Sequence, residues 1–269
     1  MNIQISDKLK QIDKANVFAV LENKYSVLGP LWVTNQMEWM NGNYVSFKNH
    51  DKFLIVIYLL NKTLGFYARN FINLNYEEFY LKNTVEVGKF TISEISNSLN
   101  IPKESARRKI NELESLNIIK KVNGKIIIDR SAYFHIKPVN TIKRICRFLA
   151  VVSNYLTDEK LLKKEISSIE LEEIVKKNFS FIWKTYYDFQ IPMLLNYKKI
   201  FKDLETFHIF GTCVVNQHLE PQMSDKHILT REDFINAIIL KKNPGINAMS
   251  ISDITNIPRA TVIRKLQKL

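Results

Sequence analysis

The chain has 269 residues, 46% of them hydrophobic, and a formal net charge of +12 at pH 7. This composition is typical of a globular protein with a real core, and the excess of basic residues suits a polyanionic partner. Two cysteines, Cys146 and Cys213, exclude a dense disulfide framework and are compatible with a reducing compartment. The longest apolar run, residues 53–60, is far shorter than the ~20 residues that span a bilayer, and no signal peptide pattern precedes it. We therefore expect a cytoplasmic protein with no membrane partner.

Residues 1–50 form the first predicted segment, which opens with an amphipathic helix over residues 7–21. Gly29 and Pro30 predict a break in the chain, because proline disrupts a helix interior. Residues 51–64 then begin a helix that is apolar on nearly all sides. Such a helix is normally buried, and a buried strand is the alternative for its most apolar part.

The stretch from residue 91 to residue 130 carries the clearest motif. Apolar residues recur there at three- and four-residue spacings, which predicts one apolar stripe on each of two helices. The break between the helices falls at Asn100 and Pro102, because proline suits the first turn of a new helix. Asn123 and Gly124 then lie between two apolar segments and predict a β-hairpin. Helix, turn, helix and hairpin together predict a winged helix-turn-helix over residues 51–137, with residues 76–85 as its first helix.

The second helix of this motif carries polar and charged residues on the side that its apolar stripe leaves free. They are Lys103, Glu104, Arg107, Arg108 and Asn111. Long basic and amide side chains on such a helix reach base edges in the major groove. Residues 103–128 resemble the winged-helix end of the catabolite activator protein family. The resemblance implies that Lys103, Glu104 and Arg108 contact bases. It also implies a contact between Ser105 and the DNA backbone.

Three lysines flank the tip of the predicted hairpin: Lys120, Lys121 and Lys125. We expect them to contact phosphates, because no acidic partner is evident near them. A winged helix that binds a protein in place of DNA is the alternative for the whole module.

Residues 138–205 form a second predicted helical segment. Apolar residues at Ile142, Ile145, Leu149, Val152 and Leu156 are spaced as in the seam of a two-helix contact. Two interpretations remain open, an ordinary bundle helix and a helix through which a homodimer forms. The aromatic cluster at residues 179–187 is interpreted as core.

The C-terminus repeats the central motif. Residues 251–269 align without a gap on residues 95–113, and eight of the nineteen positions are identical. A weaker match at an offset of 155 residues continues upstream. We infer an internal duplication with a period of roughly 155 residues, which places a second winged helix-turn-helix at residues 206–269.

In the second module, the residues predicted to contact DNA are Arg259, Thr261, Arg264 and Lys265. Ala260 stands at the position of Glu104, so the two modules should not read identical sequences. Ile263 stands at the position of Arg107, and it either contacts a thymine methyl group or packs on a neighbouring element. The residues that would form the second wing lie beyond Leu269, so we expect that wing to be missing or truncated.

Basic residues cluster in the two modules. Residues 89–130 carry a net charge of +4 and residues 241–269 carry +5, so most of the excess lies in these two stretches. This clustering is typical of an electrostatic footprint for nucleic acid. By contrast, the five histidines show no metal-ligand spacing, and no phosphate-binding loop or nucleophile motif occurs.

The sequence thus predicts a mainly α-helical protein with two tandem winged helix-turn-helix units, each with a preceding helical segment, and a small β-hairpin wing. Its expected function is sequence-specific binding of double-stranded DNA as a transcriptional regulator, with no enzymatic activity and no cofactor. Two alternatives remain. Tandem winged helices also resemble plasmid-type replication initiators, and winged helices in chromosome-segregation complexes bind proteins.

Overall fold

The fold is mainly α-helical, as predicted, with thirteen helices and three short strands in the part of the chain that the structure describes. The structure is a computed structural model, and it describes residues 9–81, 84–87, 90–122, 125–129, 137–218, 228–240 and 245–269. None of the helices in these ranges is both long and apolar enough to cross a membrane.

Among the described residues, six helices precede a seventh along the chain and six follow it. The first six are α1 (Lys14–Asn23), α2 (Tyr25–Phe47), α3 (His50–Arg69), α4 (Tyr76–Leu81), α5 (Ile92–Leu99) and α6 (Lys103–Ser115). The seventh helix is α7 (Val139–Asp158). The last six are α8 (Ser168–Lys177), α9 (Phe179–Phe201), α10 (Leu204–His218), α11 (Arg231–Leu240), α12 (Ala248–Thr255) and α13 (Arg259–Leu266).

Three strands form one antiparallel sheet in the order β1-β3-β2. They are β1 (Thr84–Val87), β2 (Ile119–Val122) and β3 (Lys125–Asp129). In this register Thr84 lies opposite Asp129, and Ile119 lies opposite Ile128. The turn predicted at Asn123 and Gly124 lies outside the described residues. The prediction of one helix over residues 76–85 was wrong at its end, because the β-branched residues after α4 pair with β3 as a strand.

The chain divides into two compact units, each assembled from three separated segments. Unit 1 comprises Met1–Glu38, Val139–Glu172 and Cys213–Ile246. Unit 2 comprises Trp39–Pro138, Glu173–Thr212 and Asn247–Leu269, and it therefore contains both of the helix pairs α5–α6 and α12–α13. The boundaries predicted from the sequence, at residues 50, 137 and 205, divide the chain consecutively and remain a prediction.

In unit 1, α7 packs as a member of a helical bundle. The ring of Phe148 lies 5.5 Å from that of Trp32, and Arg144 forms an ion pair with Glu38 at 3.3 Å. Ile142 and Val152 of the predicted seam are buried, whereas Leu149 is 38% exposed. Two of the five residues of the seam are thus buried within the chain, and whether α7 also forms a homodimer stays a prediction.

The predicted break at Gly29 and Pro30 was wrong, because α2 continues through both residues. Gly29 allows a close approach: a Cβ atom there would lie 2.7 Å from the ring of Tyr25. Pro30 is buried beside Leu28. Burial of these side chains offsets the helix hydrogen bond that proline cannot make.

The core of unit 2 forms where α3 packs along α9. Leu54, Ile55 and Leu59 of α3 are completely buried, so the nearly continuous apolar run is a buried helix and the alternative of a strand was wrong. In α9, the rings of Phe179 and Trp183 stack at 5.5 Å inside the core. Phe181 is 62% exposed, which corrects the assignment of the whole aromatic cluster to the core.

The helices before and after α7 recur in the same order and at a nearly constant spacing. Helices α1 and α8 begin 154 residues apart and have 10 residues each, and α2 and α9 begin 154 residues apart and have 23 residues each. Helices α5 and α12 begin 156 residues apart and have eight residues each. The spacing that the sequence shows over some fifty residues therefore extends, as a recurrence of helices, back to α1.

Candidate nucleic-acid interface

The pair α5–α6 is joined by a tight turn that local hydrogen bonds define. Thr91 caps α5 in a reciprocal bond with Glu94, and these hydrogen bonds lower the pKa of the Glu94 carboxyl. Asn100 ends the helix in the left-handed conformation with φ of 50°. The Ser96 hydroxyl donates to the carbonyl oxygen of Ile101 at 2.6 Å, and Pro102 then precedes α6.

The pair α12–α13 has the same turn. Asn256 ends α12 with φ of 58°, and Pro258 precedes α13. The Ser252 hydroxyl donates to the carbonyl oxygen of Ile257 at 2.8 Å. Each of these residues lies 156 positions after its counterpart in the first pair, so one local geometry is built twice.

Helix α6 presents one apolar and one polar face. Ala106, Ile110 and Leu113 are fully buried, as their spacing predicts. The predicted reader residues Lys103, Glu104, Arg107 and Arg108 are exposed together on the opposite face, with Asn111. Part of this face lines an open depression. The structure thus brings together four of the five residues of α6 that the sequence predicts to contact DNA.

Ion pairs on this face lie within reach of solvent. Arg107 lies 3.4 Å from Glu104, and Arg108 lies 3.8 Å from Glu112. Side chains in these pairs are between 44% and 78% exposed, and exposed pairs typically contribute ~0–1 kcal/mol to stability. Both guanidinium groups are therefore available to a stronger acceptor at little cost.

Ser105, the fifth predicted residue of α6, is half-buried and accepts a hydrogen bond from Lys109 at 3.0 Å. Lys109 itself is buried and pairs with Asp51 at 3.7 Å. Asp51 also pairs with Lys198 of α9 at 2.8 Å, and Lys198 donates to the carbonyl oxygen of Leu99 at 3.3 Å. This Asp51 network ties α6 to the first turn of α3, to α9 and to the end of α5.

The Asp51 network was not predicted from the sequence, although one residue pointed to it. Lys109 lies within the apolar spacing formed by Ala106, Ile110 and Leu113, where a solvated lysine is not expected. A lysine on a buried stripe needs an acidic partner. The position of that partner, 58 residues earlier at Asp51, has no local signature.

Lys265 of α13 is the counterpart of Lys109, and it too is drawn inward. Its side chain is 12% exposed and forms an ion pair with Asp203. Burial raises the pKa of Asp203, but hydrogen bonds from Lys265 and Thr206 outweigh this effect and leave that pKa below its ordinary value. Lys265, predicted to contact DNA, is thus placed apart from the exposed residues of α13.

Those exposed residues include Arg259 and Arg264, with Thr261 half-buried beside them. Ile263 is 41% exposed, and this exposure is compatible with either of its two predicted roles. Helix α13 contains no acidic residue, whereas α6 contains Glu104, Glu112 and Glu114. The second face is therefore the more electropositive of the two.

Strand β2 carries two of the three predicted phosphate-contacting lysines. Lys120 and Lys121 are exposed, while the side chain of Lys125 lies outside the described part of the structure. Lys121 pairs with Glu114 at 2.8 Å and donates to Asn111 at 3.1 Å. The expectation that these lysines have no acidic partner was wrong for Lys121, because β2 packs beside α6.

A pair of buried histidines lies between α3 and α10. His50 Nε2 lies 3.1 Å from His208 Nδ1, and His208 Nε2 donates to Asn41 Oδ1 at 2.6 Å. Burial lowers the pKa of both imidazoles, that of His208 to about 3. Within the described ranges, no group of three or more His, Cys, Asp or Glu side chains is arranged to hold a metal ion.

Comparison of the chain with protein-family models, curated proteins and solved structures finds no match. The features that point to a function are therefore those of the two helix pairs, namely their shared turn and their exposed arginines.

Proposed function

We propose that the protein is a cytoplasmic transcriptional regulator that binds double-stranded DNA in a sequence-specific manner. In this proposal each helix pair acts as a helix-turn-helix, with α6 and α13 as recognition helices. The observation that carries the proposal is the repeated turn, which twice presents a helix with exposed arginines. In helix-turn-helix proteins, the second helix of such a pair lies in the major groove.

On α6, Arg108 is the candidate for a bidentate contact with guanine, since it is exposed and its only described ion pair is weak. Glu104 accepts from the amino group of cytosine, and Lys103 donates to a base or to a phosphate. Contact with DNA would exchange the partners of Arg107 and Arg108 within their own helix for acceptors on the duplex. Because exposed ion pairs contribute little to stability, this exchange costs little.

In the same proposal, the hairpin β2–β3 is the wing of the first module. Lys120 and Lys121 lie on the strand that packs beside α6, so a duplex held by α6 passes close to them. Their ammonium groups, with that of Lys125, contact phosphates and contribute affinity that does not depend on sequence.

The second module would contribute Arg259, Thr261 and Arg264. The lack of acidic residues on α13 leaves its arginines without competition from carboxylates of the same helix. We assign Lys265 a structural role, since its pairing with Asp203 anchors α13 as the pairing of Lys109 with Asp51 anchors α6.

The test is a comparison of Arg108→Ala and Arg264→Ala in binding to a duplex selected from a random library. Loss of a bidentate contact should weaken binding by ~1–3 kcal/mol and relax the preference at one base pair. Arg69→Ala is the matched control, because Arg69 is an exposed arginine at the end of α3, outside both helix pairs. Equal weakening on selected and random duplexes would identify the two arginines as phosphate contacts and contradict their assignment.

A replication initiator of the plasmid type is the second candidate, favoured by the recurrence of two reader helices in one chain. Mapping the genomic fragments that the protein binds separates the two, since a regulator is found at promoters and an initiator at repeated origin sites. Weak binding that does not respond to salt would instead favour a protein-interaction module.

A further inference from the structure

The helices before and after α7 contact each other in a reciprocal way. We define repeat 1 as α1 to α6 and repeat 2 as α8 to α13. In unit 1, the start of α2 from repeat 1 lies against α11 from repeat 2. The Ser26 amide donates to the Leu229 carbonyl oxygen at 3.2 Å, and the Leu229 amide donates to Ser26 Oγ at 2.8 Å. The ring of Tyr25 lies 5.9 Å from that of Phe234.

The same contacts occur in unit 2 with the roles of the repeats exchanged. There the start of α9 from repeat 2 lies against α4 from repeat 1. The Ser180 amide donates to the Leu74 carbonyl oxygen at 3.0 Å, and the Leu74 amide donates to Ser180 Oγ at 2.8 Å. The ring of Phe179 lies 5.3 Å from that of Phe79.

These two sets of contacts involve equivalent residues. Ser26 and Ser180 are 154 positions apart, and Leu74 and Leu229 are 155 positions apart, as are Phe79 and Phe234. A contact from residue i to residue j that recurs from j to i defines an isologous interface, which two-fold symmetry produces. A head-to-tail arrangement of the repeats would create only one of the two sets.

From these contacts, and on the basis of the proposed function, we infer that the DNA target is an imperfect inverted repeat that one chain reads in one fixed orientation. Helix-turn-helix dimers match their two-fold symmetry with inverted half-sites. Here the internal duplication supplies both halves of the dimer within a single chain.

The fixed orientation follows from differences between the two recognition helices. Glu104 has Ala260 as its counterpart, and Arg107 has Ile263. The half-site that α6 reads therefore differs from the half-site that α13 reads. A homodimer binds a symmetric site equally well in either direction, whereas this chain should distinguish the two halves.

Because Arg108 and Arg264 occupy equivalent positions, they give a direct test of strand polarity. Arg108→Ala and Arg264→Ala should each relax the preference at one base pair of a duplex selected from a random library. In an inverted target those two positions are related by a two-fold axis through the centre of the site and lie on opposite strands. In a direct repeat they lie on the same strand.

A second test uses duplexes built from the selected half-sites. One duplex keeps the natural inverted pair, a second places the halves as a direct repeat, and two more are symmetrised by doubling either half. We expect the natural pair to bind at least tenfold more tightly than the other three, with one chain per duplex by analytical ultracentrifugation. Tighter binding to the direct repeat, equal binding to a symmetrised duplex, or two chains per duplex would overturn the inference alone. Absence of any sequence preference would overturn the proposed function and this target with it.

Discussion

Substitution of Asp51 should destabilise the protein strongly, because this carboxylate compensates two buried lysines. The side chains of Lys109 and Lys198 are 9% and 10% exposed, and both ammonium groups pair with Asp51. Removing one partner of a buried ion pair typically costs ~3–5 kcal/mol, since an uncompensated charge remains. Asp51 is itself 23% exposed and the lysines keep hydrogen bonds to Ser105 and Leu99. We therefore expect Asp51→Ala to lower the free energy of unfolding by about 3 kcal/mol, near the lower end of that range.

Urea denaturation measures this loss of unfolding free energy. Two further variants show whether the loss comes from the buried charges. Glu104→Ala removes an exposed acid of α6 that pairs with Arg107, and it should change the free energy of unfolding by less than ~1 kcal/mol. Replacing Asp51 with Ala together with Lys109→Met and Lys198→Met removes all three charges, and it should recover much of the loss. A loss for Asp51→Ala no larger than that for Glu104→Ala would refute the reasoning.

Three further predictions concern other parts of the chain. Burial lowers the pKa of His50 and that of His208, so as the pH falls the unfolded chain binds protons before the folded chain does. The free energy of unfolding, measured by urea titration, should therefore fall below pH ~6.5 by ~1.4 kcal/mol per pH unit for each histidine. A free energy of unfolding that does not change with pH would contradict this. Ser180→Ala removes the acceptor for the Leu74 amide and should lower the free energy of unfolding by ~1–3 kcal/mol. Ser115→Ala, which changes an exposed serine, is its control. Joint replacement of Lys120, Lys121 and Lys125 with Ala should reduce the slope of log affinity for DNA against log salt concentration by up to ~3 units. An unchanged slope would show that the hairpin does not contact DNA.

The sequence by itself determined the features that depend on neighbouring residues. The turn between α5 and α6 could be predicted because Asn100 and Pro102 act on the backbone beside them, and the apolar spacing of Ala106, Ile110 and Leu113 fixes which face of α6 is buried. The exposed positions of Arg107 and Arg108 follow from the same periodicity. The duplication could also be predicted, since it appears when the amino-acid sequence is aligned with itself.

Only the tertiary structure decided the features that join distant residues. Asp51 meets Lys109 and Lys198, and Ser180 meets Leu74 across more than a hundred positions, through packing that no local pattern encodes. The same packing carries α2 through Pro30, against the local preference for a break. The reason is that the free energy of a buried contact depends on which helices and strands pack together. The burial of their whole apolar faces determines that packing, and it outweighs the local preference of any one segment.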